Sequence, residues 1–150
     1  MNTISLLKPA DLQRALQIEQ RSHRFPWSEK TFRANQGERF LNFRIDADGL
    51  MAGFAITQWV LDEATLFNMT IDPDWQRCGL GRKLLIHVTD QLRQRGVNTL
   101  WLEVRALNHA AIALYQQLGF NEVALRRDYY PDVSGREDAI VMALPLAEGD

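Results

Sequence analysis

The stretch Gln76-Arg77-Cys78-Gly79-Leu80-Gly81 limits the possible folds more than any other part of this 150-residue chain. It follows a largely apolar run over 66–71 that Asp72-Pro73 closes, and it leads into a helical pattern over 82–95. Strand, turn, Gly-x-Gly loop and helix in that order form a cradle for an anion. Loop N–H groups and the helix N-terminus both present partial positive charge there. Glycine lets a ligand approach backbone that a Cβ would shield.

Around this unit the chain reads as one α/β domain over 1–150, long enough for a single core. A short strand over 4–7 precedes a helix from Pro9 to about Arg21, in which Leu12, Ala15, Leu16 and Glu19 share a face. Phe25-Pro26-Trp27 breaks it, and Ser28 caps a second short helix ending at Asn35. Strands are expected over 40–45, 51–60 and 65–71, with Asp46-Ala47-Asp48-Gly49 turning between the first two. The 51–60 run is apolar on both faces apart from Thr57 and Gln58, as an interior strand requires. Leu84, Leu85, Val88 and Leu92 stripe the 82–95 helix, which Gly96 ends. A strand over 100–105 leads to a helix that Asn108 caps and Gly119 closes, with Ala111, Leu114, Tyr115 and Leu118 inward. Strands over 121–126 and 138–144 flank the turn-rich segment 131–135. The alternation from Thr65 to Gly119 implies two crossover units on a mixed sheet.

Net charge is −2, which gives no global basic field for nucleic acid. A single cysteine excludes an intrachain disulfide framework and fits a reducing compartment. No signal-peptide pattern or bilayer-length apolar run is visible, so a cytoplasmic location is expected, with no membrane partner. A Walker loop is excluded because Trp75 stands where its first glycine belongs. A dinucleotide fingerprint is excluded because Leu84 takes the third glycine position. His23, His87 and His109 have no metal-ligand spacing, and no metal is expected.

Three polar residues are candidates for chemistry. In Leu100-Trp101-Leu102-Glu103-Val104-Arg105, alternation puts Glu103 on a face with Trp101 and Arg105. A carboxylate in an apolar strand is either ion-paired, to Arg105 or another arginine, or a general base whose pKa partial burial raises. Tyr115 is either a core aromatic or a proton donor to a leaving group. Asn108 is explained by capping, and its amide can also reach a ligand beside the strand end. Cys78 precedes a helix N-terminus, which favours thiolate, and is read as a bystander without a catalytic role.

Gln76-x-x-Gly79-x-Gly81 resembles the acetyl-CoA pyrophosphate loop of the GCN5-related N-acetyltransferase (GNAT) family. Trp101-Leu102-Glu103-Val104-Arg105-x-x-Asn108-x-x-Ala111-x-x-Leu114-Tyr115-x-x-Leu118-Gly119-Phe120 resembles that family's next strand and helix. Phe25-Pro26-Trp27-Ser28, Arg127-x-Tyr129-Tyr130-Pro131 and Glu137-Asp138-Ala139-x-x-Met142 resemble its RimI branch, which acetylates the N-terminal alanine of the eighteenth small-subunit ribosomal protein. The resemblance covers nearly the whole chain. It implies a mixed, mostly antiparallel sheet of about seven strands with a splayed parallel pair, flanked by about four helices.

By that resemblance Arg77, Cys78, Gly79, Leu80, Gly81 and Arg82 hold the pyrophosphate of acetyl-CoA. Backbone of Met69, Thr70 and Ile71 pairs with the pantetheine arm, and Asn108 contacts the cosubstrate. Glu103 is the base, and Tyr115 is the acid that protonates the departing thiolate. Cys78 departs from the polar or basic residue usual in the loop. Trp27 and Tyr130 either wall a groove for a peptide end or pack ordinarily. Glu137, with Asp138, Asp62 and Glu63, either attracts a basic peptide or is simply solvated. The implied partners are acetyl-CoA and the N-terminal segment of that ribosomal protein, met by a monomer. A GNAT enzyme for small amines or other protein N-termini, and a non-catalytic acyl-CoA-binding module, are the alternatives.

Overall fold

The computed structural model describes residues 1–133 and 135–146. Ser134, in the expected turn, and the tail Glu148-Gly149-Asp150 lie outside the described residues. The strands are β1 (Asn2–Leu6), β2 (Phe43–Ala47), β3 (Leu50–Val60), β4 (Glu63–Ile71), β5 (Thr99–Arg105), β6 (Asn121–Asp132) and β7 (Gly135–Pro145). The α-helices are α1 (Leu12–Ser22), α2 (Glu29–Ala34), α3 (Leu80–Gln94) and α4 (His109–Gln117). All seven strands form one sheet in the order β1-β2-β3-β4-β5-β7-β6. Among the described residues only the β4–β5 pair is parallel.

Each face of the sheet has its own apolar core. Leu12, Ala15 and Ile18 of α1 and Phe32 of α2 pack with Met51, Phe54 and Ile56 of β3. On the other face, Leu84, Leu85, Val88 and Leu92 of α3 meet Leu100 and Leu102 of β5 and Met142 and Leu144 of β7. This accounts for the two-sided apolar pattern of β3, whose residues Met51 to Thr57 are all buried. Ser28 caps α2 through its hydroxyl, and Asn108 caps α4 through its carboxamide.

Two features open the sheet beside the Gly-x-Gly loop. The β4–β5 ladder runs from Glu63↔Thr99 to Leu66↔Leu102 and stops, so the distal parts of the strands diverge. The β3–β4 register also jumps between Ile56 and Thr57, which leaves Phe67 without an opposing residue.

Several boundaries differ from expectation. A strand over 40–45 is expected, but β2 starts at Phe43 and Phe40 makes only an isolated bridge to Gln58. The Asn42 side chain intervenes, accepting the Thr57 N–H at 3.0 Å and donating to the Asn35 carbonyl at 2.8 Å. α3 begins at Leu80, two residues early, because Gly79 takes a left-handed conformation (φ 79°) and starts the helix there. On α4 the buried residue is Ile112, since part of the expected apolar face lines a cleft instead. β6 continues past 126 to Asp132 through a bulge. The second crossover unit, β5-α4-β6, skips a position because β7 inserts between its strands.

Candidate active site

The loop after β4 is held at both ends. Buried Asp72 caps the 3-10 turn Pro73–Trp75 and pairs with Arg14 (3.0 Å) and Arg21 (3.2 Å) of α1. Gln76 Nε2 donates to the Ile71 carbonyl at 3.0 Å and folds the loop back on its strand. The first main-chain helical bond of α3 runs from the Lys83 N–H to the Gly79 carbonyl. The N–H groups of Leu80, Gly81 and Arg82 therefore have no intrahelical acceptor, and they point an anion-binding helix end at the cleft. A Cβ on Gly81 would meet Ile71, Leu114 and Met69 at 3.7–3.9 Å. That is ordinary contact, so a side chain there fits the fold but takes space from the cleft.

A cavity of about 690 Å³ lies against this loop. Met69, Thr70, Ile71, Arg77, Gly79, Leu80, Gly81, Arg82, Asn108 and Tyr115 all line it. Cys78 does not: it is exposed, with Sγ 3.6 Å from the Gln76 carbonyl. The Thr70 side chain turns toward α1, and its backbone pairs with Phe54 of β3. Asn108 commits its carboxamide oxygen to the Ala111 N–H at 3.2 Å, so its amide nitrogen is what it offers a ligand.

A second cavity, of about 510 Å³, adjoins the first and is lined by Glu103, Trp27, Tyr130 and Glu137. Ser22, His23, Met69, Asn108 and Tyr115 line both. The cavities thus meet where β4 and β5 part. Burial pushes the Tyr115 hydroxyl up to about 12, which keeps the phenol protonated at physiological pH.

Glu103 is ion-paired, to Arg126 Nε of β6 at 2.5 Å, with 28% of its side chain exposed. Arg105, the neighbour on the same face of β5, goes elsewhere. It donates to the Pro131 carbonyl (2.8 Å) and Glu137 (3.2 Å) and lies 4.6 Å from the Tyr130 ring centre. Burial raises the Tyr130 phenol to about 12 as well. Trp27 packs edge-on against Phe32 with ring centres 5.2 Å apart. The Glu137 carboxylate, 10% exposed, turns inward to Arg105 and the Leu107 N–H, and it serves first to hold the loop after β5. Asp62 and Glu63 require correction as acceptor-attracting groups. They sit at the start of β4, roughly 25 Å of strand from Ile71, and they bond Asn98 and Trp101 there.

Sequence reasoning missed a buried carboxylate. Glu19, 2% exposed, accepts the Trp27 N–H at 2.9 Å and Asn68 Nδ2 at 3.0 Å. His23 Nε2 lies 3.5 Å from Glu19 and 2.9 Å from Thr70 Oγ1. The signal was present, because Glu19 occupies a core position of the α1 stripe. Arg126 and Tyr129 were also missed, and a sheet register was needed to find them. Among the described residues no cluster of three or more His, Cys, Asp or Glu is placed to hold a metal.

Residues 12–120 match the acetyltransferase (GNAT) family. The chain belongs to the GNAT family. The [ribosomal protein bS18]-alanine N-acetyltransferase of Escherichia coli K12 is 67% identical over 147 residues, spanning 98% of this chain and 99% of that protein. The Haemophilus influenzae enzyme of the same name is 51% identical, over 97% of this chain and all of its own length. The crystal structure of the Escherichia coli ribosomal-protein-S18-alanine N-acetyltransferase superposes with a TM-score of 0.97 at 66% identity, covering 100% of this chain and 97% of that one. The GNAT fold therefore supplies the seven-stranded mixed sheet with one parallel pair and the four flanking helices.

Proposed function

We propose that this chain, acting as one domain over 1–150 and as a monomer in the cytoplasm, transfers acetyl from acetyl-CoA to the N-terminal alanine of ribosomal protein bS18. The observation that carries this reading is the meeting of two cavities at Met69, Asn108 and Tyr115, one beneath a helix N-terminus and the other beside a carboxylate. Full-length similarity to enzymes named for that reaction supports the choice of acceptor.

The first cavity takes the cosubstrate. N–H groups over 79–82 hold the pyrophosphate, with Arg77 and Arg82 adding charge. The unladdered edge of β4 from Met69 to Ile71 receives the pantetheine arm, and the Asn108 amide nitrogen contacts it. The second cavity takes the acceptor between Trp27 and Tyr130, with Glu137 bracing the loop.

An α-ammonium has a pKa of about 7.7–8.0, so at neutral pH most of it carries the proton that blocks attack. Glu103, directly or through a water, takes that proton. The amine then adds to the thioester carbonyl at the junction. The Met69 N–H stabilises the oxyanion that develops, an effect of about 3 kcal/mol for a well-aimed donor. Tyr115 gives its proton to the thiolate as the carbon–sulfur bond breaks. Glu103 returns its proton to solvent, and the second proton of the attacking nitrogen, released as the tetrahedral adduct collapses to the amide, passes through water to the Tyr115 phenolate. Direct transfer requires no covalent enzyme intermediate and no metal.

Incubation with acetyl-CoA and a peptide copying the bS18 N-terminus tests the assignment. The expected result is one acetyl group on the α-amine by mass spectrometry, with none on a peptide already blocked there. Transfer to small amines but not to the peptide would overturn it.

A further inference from the structure

Glu103 has two neighbours on β6 that no part of the proposed reaction uses, one beside an irregularity in that strand and one within it. The β6–β7 register runs from Arg126↔Ala139 to Tyr130↔Glu137, so residues 127–129 stand opposite Asp138 alone. Asp138 fixes this bulge. Its Oδ1 accepts the Asp128 N–H at 2.9 Å, while Asp128 takes a left-handed φ of 53°. The Asp138 carbonyl also accepts the Ala106 N–H at 2.9 Å, which ties the bulge to the end of β5.

Arg126, the last paired residue before the bulge, and Tyr129 within it converge on one carboxylate. β6 and β5 are separated by β7, about 10 Å apart at normal strand spacing. Arg126 spans that gap to reach Glu103 Oε2. The Tyr129 phenol faces the same carboxylate, and the influence of Glu103, followed by burial, holds it above its usual range. The Arg126 guanidinium lies 5.3 Å from the Tyr129 ring centre, so each partner steadies the other.

A glutamate has three rotors, and this one projects from a strand with only part of its length covered. Without partners its carboxylate sweeps a wide arc, and a proton acceptor must stay within hydrogen-bond reach of the amine. A carboxylate offers about four acceptor sites, so these partners leave room for the ammonium or a bridging water. Arg126 is 55% exposed, and an ion pair so exposed adds little to stability. Its value lies in what it does to Glu103.

We propose that Arg126, at the edge of the β6 bulge, and Tyr129, within it, are positioning residues that aim the Glu103 carboxylate into the acceptor cavity. This rests on the reading of Glu103 as the base.

A double-mutant cycle on the full-length protein tests it, with kcat and KM for the alanine-starting peptide, acetyl-CoA affinity and Tm measured for each variant. Arg126→Met is expected to lower kcat about tenfold, within the range expected for a misaimed catalytic group. KM, acetyl-CoA affinity and Tm stay as in the parent, and Arg126→Lys recovers most of the rate. In a Glu103→Gln background, Arg126→Met costs nothing further. Equal fold-losses in both backgrounds, or parental kcat for Arg126→Met, would overturn the proposal. If Arg126→Met lowers Tm, Tyr129→Phe takes its place in the same cycle with the same two criteria. Parental turnover by Glu103→Gln overturns the base itself and this proposal with it. A slow Glu103→Gln alongside an unimpaired Arg126→Met removes the positioning role alone.

Discussion

Tyr115 illustrates how surroundings assign a residue its task. Its phenol faces the junction of two cavities, and burial lifts it from 10 to about 12. It therefore enters the reaction carrying its proton. Tyr115→Phe is expected to reduce kcat at least tenfold with acetyl-CoA affinity close to the parent, as equilibrium binding and steady-state rates will show. The parent's kcat should show no decline near pH 10 from this phenol, and a break there would contradict the shift. Glu103 supplies the complementary prediction. Glu103→Gln should lose one hundredfold or so at pH 7. The deficit should narrow above pH 9, where the α-amine deprotonates unaided. A pH–rate profile parallel to the parent's would count against its role.

Among the elements, the loop between β4 and α3 separates geometry from side-chain chemistry. Gly79 is needed for its φ of 79°, whereas Gly81 keeps open a space that a side chain would enter. Gly81→Val is expected to weaken acetyl-CoA binding tenfold or more with little change in Tm. Cys78→Ser, just beside it but off the cavity wall, should leave affinity unchanged. Isothermal titration of the two variants distinguishes the cases. This loop, Ser28 and Asn108 were legible because each acts on backbone within a few residues of itself. Glu103, Tyr115 and the family resemblance were legible for a similar reason, since alternation and helical spacing set which way they point. The partners of Glu103 were not legible. Choosing Arg126 over Arg105 requires the β6–β7 register and a strand inserted between β5 and β6. Glu19 was visible as a polar residue in an apolar stripe, but its ties to Trp27 and Asn68 join parts of the chain that only the fold brings together.

At the scale of the whole molecule, two half-buried phenols couple folding to alkaline pH. Tyr115 and Tyr130 both titrate at about 12 in the folded chain and near 10 when unfolded. Below pH 10 both states hold these protons. Between pH 10 and 12 the folded state keeps protons that the unfolded state releases, so stability falls as pH rises through that window. Chemical denaturation from pH 9 to 12 should show this decline, and Tyr115→Phe should make it shallower. An identical slope in the variant would remove Tyr115 as a contributor.

The short β4–β5 ladder gives the protein a further property. With its seam unzipped beyond Leu66 and Leu102, the sheet lacks the cross-strand cohesion that the rest of it enjoys. A cosubstrate lying along that edge acts as a missing splint, and occupancy then adds RT ln(1 + [L]/Kd) to the unfolding free energy. Heat resistance consequently tracks the supply of acetyl donor, so melting temperature alone can report how much of the protein is loaded.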